Sequence, residues 1–169
     1  MHPLIVLAAL AQPAAPATPA AAPAGFGWFG ALAGSCWQGD HPGGRMRDRQ
    51  CYSIQFGQFM RGTITLTRPG PLAPSARQGD SVFAWDTARN RMIFYFWSSD
   101  GRHGISEGYY DGDALVFPLA PASAGQAPGR RTVWRRLDAD RFRVSVQTST
   151  DAAWAEHFAV TYERSGTAD

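Results

Sequence analysis

Short runs of strand-forming residues recur from residue 35 onward at spacings of roughly 8 to 12 residues, each closed by turn residues, and no segment between them is long and periodic enough for a βαβ helix. The runs fall near 35–40, 45–54, 58–67, 80–86, 91–98, 103–110, 113–117, 130–137, 141–148 and 154–164. Even spacing of this kind predicts an all-β, antiparallel sandwich or barrel of about ten strands. Asp100-Gly101 and Asp111-Gly112 are dipeptides that supply the positive φ angles of type I′ hairpin turns. The connections from Arg68 to Gly79 and from Pro118 to Gly129 are rich in Pro, Gly and Ala, and read as surface loops flanking an opening. Ahead of the first strand, Trp28 and Leu32 stand one helical turn apart, which predicts a short helix there.

Composition agrees. Only three glutamates occur, and lysine is absent, so strong helix formers are scarce where Val, Thr and aromatic residues are common. A formal net charge of +2 gives no basic excess of the kind nucleic-acid binders carry. The N-terminus has a compartment signal: Leu4 to Ala11 is a short apolar run ending in Ala9-Leu10-Ala11, which predicts a signal peptide over 1–11 and a periplasmic or secreted location. Residues 12–24 are nearly all Ala and Pro and read as a spacer, so the barrel domain is expected over 25–169. The apolar run is too short for a transmembrane segment, which needs about 20 residues. In an oxidising compartment Cys36 and Cys51 are expected to form a structural disulfide; they lack the Cys-x-x-Cys spacing of a redox pair.

Alternation assigns faces. Strand 91–98 is apolar on both sides, with Met92, Phe94 and Phe96 opposite Ile93, Tyr95 and Trp97, so it is covered twice or faces an apolar pocket. Strand 103–110 puts Ile105, Glu107 and Tyr109 on one face, and the closing strand puts His157, Ala159, Thr161 and Glu163 opposite Phe158, Val160 and Tyr162.

The short helix running into Gly34-Ser35-Cys36-Trp37-Gln38-Gly39, then Phe59-Met60-Arg61-Gly62, Gly108-Tyr109-Tyr110-Asp111-Gly112-Asp113 and Val160-Thr161-Tyr162-Glu163-Arg164, together resemble the lipocalin-like, or calycin-type, barrels of bacteria. That resemblance covers nearly the whole mature chain and implies an up-and-down barrel around a cavity, distantly similar to nitrobindin and fatty-acid-binding proteins. The family's Gly-x-Trp spacing is lengthened here by Cys36.

Candidate chemistry is sparse. Ser98, Asp100 and His103 straddle a turn and lack a nucleophile elbow, and with no lysine there is no phosphate-cradling loop. His41, His103 and His157 are unpaired at ligand spacing, so no metal site is expected. Similarity to nitrobindin makes His157 the one position for a haem-iron ligand, yet Ala155-Glu156-His157-Phe158 departs from that family's closing motif, and no cofactor is expected. The arginines 130, 131, 135, 136, 141 and 143 read as a solvated hairpin. What is expected is non-catalytic binding of a small, partly apolar ligand by Trp37, Arg61, Trp85, Phe94, Trp97, Glu107, Tyr109 and His157. The alternatives are an acid/base enzyme of lyase or isomerase type using Glu107, Tyr109 or His157, and a structural envelope module with a filled barrel.

Overall fold

A computed structural model describes residues 22–68, 77–119, 129–150 and 153–168. The expected leader over 1–11 and most of the expected spacer lie outside the described residues. Among the described residues there are ten strands: β1 (Ser35–Asp40), β2 (Arg47–Gln55), β3 (Phe59–Thr67), β4 (Arg77–Asp86), β5 (Arg91–Ser98), β6 (His103–Asp111), β7 (Ala114–Pro118), β8 (Arg130–Arg136), β9 (Arg141–Ser149) and β10 (Trp154–Thr167). Each pairs antiparallel with the next, and β10 closes on β1, so the up-and-down barrel leaves no free edge among them.

Three expectations are corrected. Residues 77–79 belong to β4 and not to the preceding loop, because Gly79 pairs with Ile64 on one side and Ser98 on the other; the missing side chain does not cost the backbone its ladder. β10 runs three residues past its expected end because Gly166 and Thr167 pair with Cys36 and Ser35 across a bulge. The turn chemistry also differs. Gly101 and Gly112 have positive φ, 82° and 59°, but Asp100 and Asp111 do not, so neither Asp-Gly pair is a type I′ turn. That geometry occurs instead at Phe56-Gly57, where φ is 53° and 66° and the Gln58 amide donates to the Gln55 carbonyl at 3.0 Å.

The expected N-terminal helix is a single 3₁₀ segment, Gly27–Leu32, seated in one end of the barrel. Its period of three puts Phe26, Phe29 and Leu32 on one buried face, whereas Trp28 is only partly buried. Phe29 is fully buried, with ring centroids 4.8 Å from Phe83, 5.5 Å from Trp134 and 5.6 Å from Tyr52. Two side-chain hydrogen bonds tie the plug down: the Tyr110 hydroxyl donates to the distant Phe26 carbonyl, and the Trp37 indole donates to the nearby Leu32 carbonyl at 3.1 Å. Inward glycines make room for aromatic rings; a Cβ on Gly62 would lie 3.0 Å from the Tyr52 ring. Cys36 and Cys51, directly opposite on β1 and β2, are joined with sulfurs 2.02 Å apart.

Candidate functional site

The plug fills only one end. Toward the other, the interior holds a cavity of about 660 Å³, within the range of small-molecule sites. The tight turns 56–58, 87–90 and 112–113 lie at the plugged end, and the connections leaving β3 at Thr67 and β7 at Pro118 start from the cavity end. The flanks of both long connections therefore stand at the opening; their central residues lie outside the described ones.

Two unlike walls line the space. One is apolar: Phe94 and Phe96 of β5, Val144 and Val146 of β9, and Phe158 and Val160 of β10. They all point inward because β-strand side chains alternate and these positions share one parity. Phe94 stacks on both Phe83 and Phe96, at 4.6 and 5.5 Å, linking the cavity wall to the plugged core.

The other wall is polar: Asp48 of β2, Tyr162 of β10 and His41 line it, with Gln50 and Tyr52 buried behind them. Asp48, Gln50 and Tyr52 alternate along β2, all inward and buried. The Tyr162 hydroxyl donates to Asp48 Oδ2 at 2.6 Å, and Gln50 Nε2 donates to the same oxygen at 3.0 Å. Tyr52 in turn donates to Gln50 Oε1. His41, just past β1, stacks on Phe158 with centroids 5.7 Å apart and places Nε2 4.0 Å from Asp48 Oδ2, too far for a hydrogen bond. Among the described residues, His41 Nε2 and Asp48 Oδ1 are buried side-chain atoms without a hydrogen-bond partner. At the rim, Arg77 and Arg102 both reach Asp100, at 3.3 and 2.7 Å.

Burial raises the Asp48 carboxyl above its ordinary 3.8, opposed by the hydrogen bonds from Tyr162 and Gln50. Burial also raises both tyrosine hydroxyls, Tyr52 and Tyr162, with the Asp48 carboxylate adding to the shift. Because the folded protein holds the Asp48 proton more tightly than the unfolded chain, stability falls as pH rises from 3.8 through the raised folded value. Asp48→Asn, which cannot titrate, is therefore expected to gain stability relative to the parent across that window and to run level above it. Urea midpoints measured along a pH series check this, and a relative loss with rising pH would contradict it.

The residues expected from the sequence are scattered. Phe94 lines the cavity, and Trp97 stands at its rim, 47 % exposed. Trp37 and Trp85 are on the plugged side, Trp37 buried beneath Arg164 and Trp85 against Gly25 and Tyr110. Arg61 pairs with Asp80 at 2.6 Å. Glu107 is half exposed and bound to Arg89 at 2.9 Å. Tyr109 packs on Ala114, Val116 and Val133 with Arg91 over its ring, and is not in the cavity lining. Glu107, Tyr109 and His157 are thus not brought together. His157 is exposed within a bulge between Glu156 and Phe158 and does not line the cavity, so it does not offer an iron ligand there. In the arginine cluster, Arg135, Arg141 and Arg143 pair with Asp113, Asp138 and Glu156, and Arg131 stacks on Trp154. Sequence reasoning missed Asp48, Gln50, Tyr52 and His41 as a set. A signal existed in the buried parity of β2, but Arg47, Arg49 and Ser53 on the other face are polar too, so alternation did not say which side was inside.

No family model matches this chain, and no curated protein does. The architecture has a counterpart among solved structures. The crystal structure of Rv2717c from M. tuberculosis superposes with a TM-score of 0.55 at 16% sequence identity, over 85% of this chain and 99% of that one. At that identity the likeness extends to the fold alone. Among the described residues no helix is long and apolar enough to cross a membrane.

Proposed function

We propose that this protein is a non-catalytic binder of a small, partly apolar molecule, taken up inside the barrel after export, in the manner of the lipocalin-like barrels it resembles. The observation that carries this reading is the unfilled space between an apolar wall and a polar one. A barrel interior serving only as a structural core would be packed to the density seen at the plugged end, where Phe26, Phe29, Phe83 and Phe142 leave almost no exposed surface. A convergent group of buried polar atoms in an otherwise apolar pocket is the usual composition of a ligand site. Export is supported by the apolar leader and by the disulfide, which persists in oxidising compartments. Acid/base chemistry through Glu107, Tyr109 or His157 has no geometric support, since none of the three lines the cavity.

The test is a fluorescence titration with 1-aminoanthracene, a neutral apolar probe. The parent protein is expected to bind it saturably at one site. Val146→Trp, which fills cavity space beside Phe158, is expected to weaken binding by about tenfold or more, because a small-to-large change in a fixed wall excludes the ligand or strains the wall. Undiminished binding in that variant would reject an interior site.

A further inference from the structure

We propose that the ligand is a neutral apolar molecule bearing a hydroxyl group, and that this hydroxyl is held between Asp48 and His41 on the polar wall. The inference rests on the binding role proposed above and specifies the chemical class of its ligand. Asp48 is 6 % exposed, and its two oxygens are treated differently by the fold. Oδ2 already accepts from Tyr162 at 2.6 Å and Gln50 at 3.0 Å, while Oδ1 has no partner. His41 Nε2 is likewise buried and unpartnered, and its ring is braced against Phe158. Both residues line the same cavity. Buried polar atoms are nearly always hydrogen-bonded, so a pair left open toward one space marks where a polar group of a ligand sits.

The choice of group follows from donor and acceptor inventories. A carboxylate only accepts, so an ionised Asp48 would repel it, and the rim arginines Arg77 and Arg102 would draw it away from the wall. An ammonium only donates, so it finds no acceptor in a protonated Asp48 or in a His41 that carries its proton on Nε2, and its charge must give up water to enter a buried pocket. A hydroxyl has one donor and two acceptor positions. It can donate to an ionised Asp48 or accept from a protonated one, and it suits either tautomer of His41. The apolar remainder then lies along Phe94, Phe96, Val144 and Val146.

Calorimetric titration of the full oxidised chain with 1-decanol, decanoate and decylamine at neutral pH tests the assignment, because the three probes share one apolar chain and differ only at the head. Decanol is expected to bind at least about tenfold tighter than either charged probe. Asp48→Leu is expected to erase that preference by weakening decanol about tenfold, while Asp48→Asn, whose amide still donates and accepts, keeps it within about threefold. Near-ultraviolet circular dichroism establishes that each variant is folded; if Asp48→Leu is not, His41→Phe takes its place and is expected to lower the decanol preference as well. Tighter binding of decanoate or decylamine, or an unchanged preference in a folded Asp48→Leu, would overturn the hydroxyl assignment. Equal saturable binding of all three probes would overturn it while leaving the binding role intact. No binding by any of them would remove both.

Discussion

Phe29→Ala is expected to destabilise the protein by about 3 to 5 kcal/mol, the range for deleting a large aromatic ring from a core that cannot collapse around the loss. Phe29 is fully buried and sits where the 3₁₀ segment enters the barrel, with Tyr52, Phe83 and Trp134 packed edge-on around it. These neighbours belong to β2, β4 and β8, whose positions are fixed by ladders on both sides, so they cannot move in to fill the hole. Each edge-on aromatic pair adds about 0.5 to 1.5 kcal/mol beyond area burial. The plug is also short, a single 3₁₀ segment with no helix stability of its own, so its order depends on this packing. Urea denaturation is the measurement, read as a lowered midpoint at unchanged slope. A loss under about 1 kcal/mol would mean that the plug is not part of the cooperative core.

Breaking the Cys36–Cys51 link is expected to cost about 3 kcal/mol, the chain-entropy value for a loop with a sequence separation of 15. The place of the bond raises its importance. β1 has six residues and closes the barrel, pairing with β2 on one side and, across a bulge, with β10 on the other. Trp37, next to Cys36 on β1, donates its indole N–H to the Leu32 carbonyl at the end of the plug. A Cys36→Ser, Cys51→Ser double variant and the reduced parent should therefore unfold at the same lowered urea concentration. If oxidised and reduced protein unfold together, the bond does not constrain the chain as described.

The strands were legible because turn residues punctuate them and their spacing admits no other element; the expected and observed spans of β1 and β5 coincide at both ends, and β7 is displaced by one residue. What the sequence could not supply was the side of the wall on which each residue lies when both sides are polar or both are apolar. In β5, Met92, Phe94 and Phe96 turned out to be inward while Tyr95 and Trp97 remain about two-fifths to one-half exposed, at 41 % and 47 %. In β2 the ambiguity ran the other way and concealed the polar wall. The helix period is ambiguous for a similar reason: Trp28 and Leu32 suggest a turn of four, but the 3₁₀ period of three selects Phe26, Phe29 and Leu32. Phe56-Gly57 does not read as a type I′ turn in the sequence because an aromatic residue rarely takes a positive φ.

The most direct test of an interior ligand site is a crystal structure of the protein soaked with 12-bromo-1-dodecanol, located by the anomalous scattering of bromine. The barrel also presents apolar side chains outside, with Tyr95 opposite Ile105 and Trp97 nearby, so an apolar probe has a competing surface to choose. The expected result is one bromine peak inside the barrel, near Phe94 and Phe96, with the rest of the chain leading to Asp48 and His41. Bromine found only against Tyr95 and Ile105, with the interior free of it, would contradict the account.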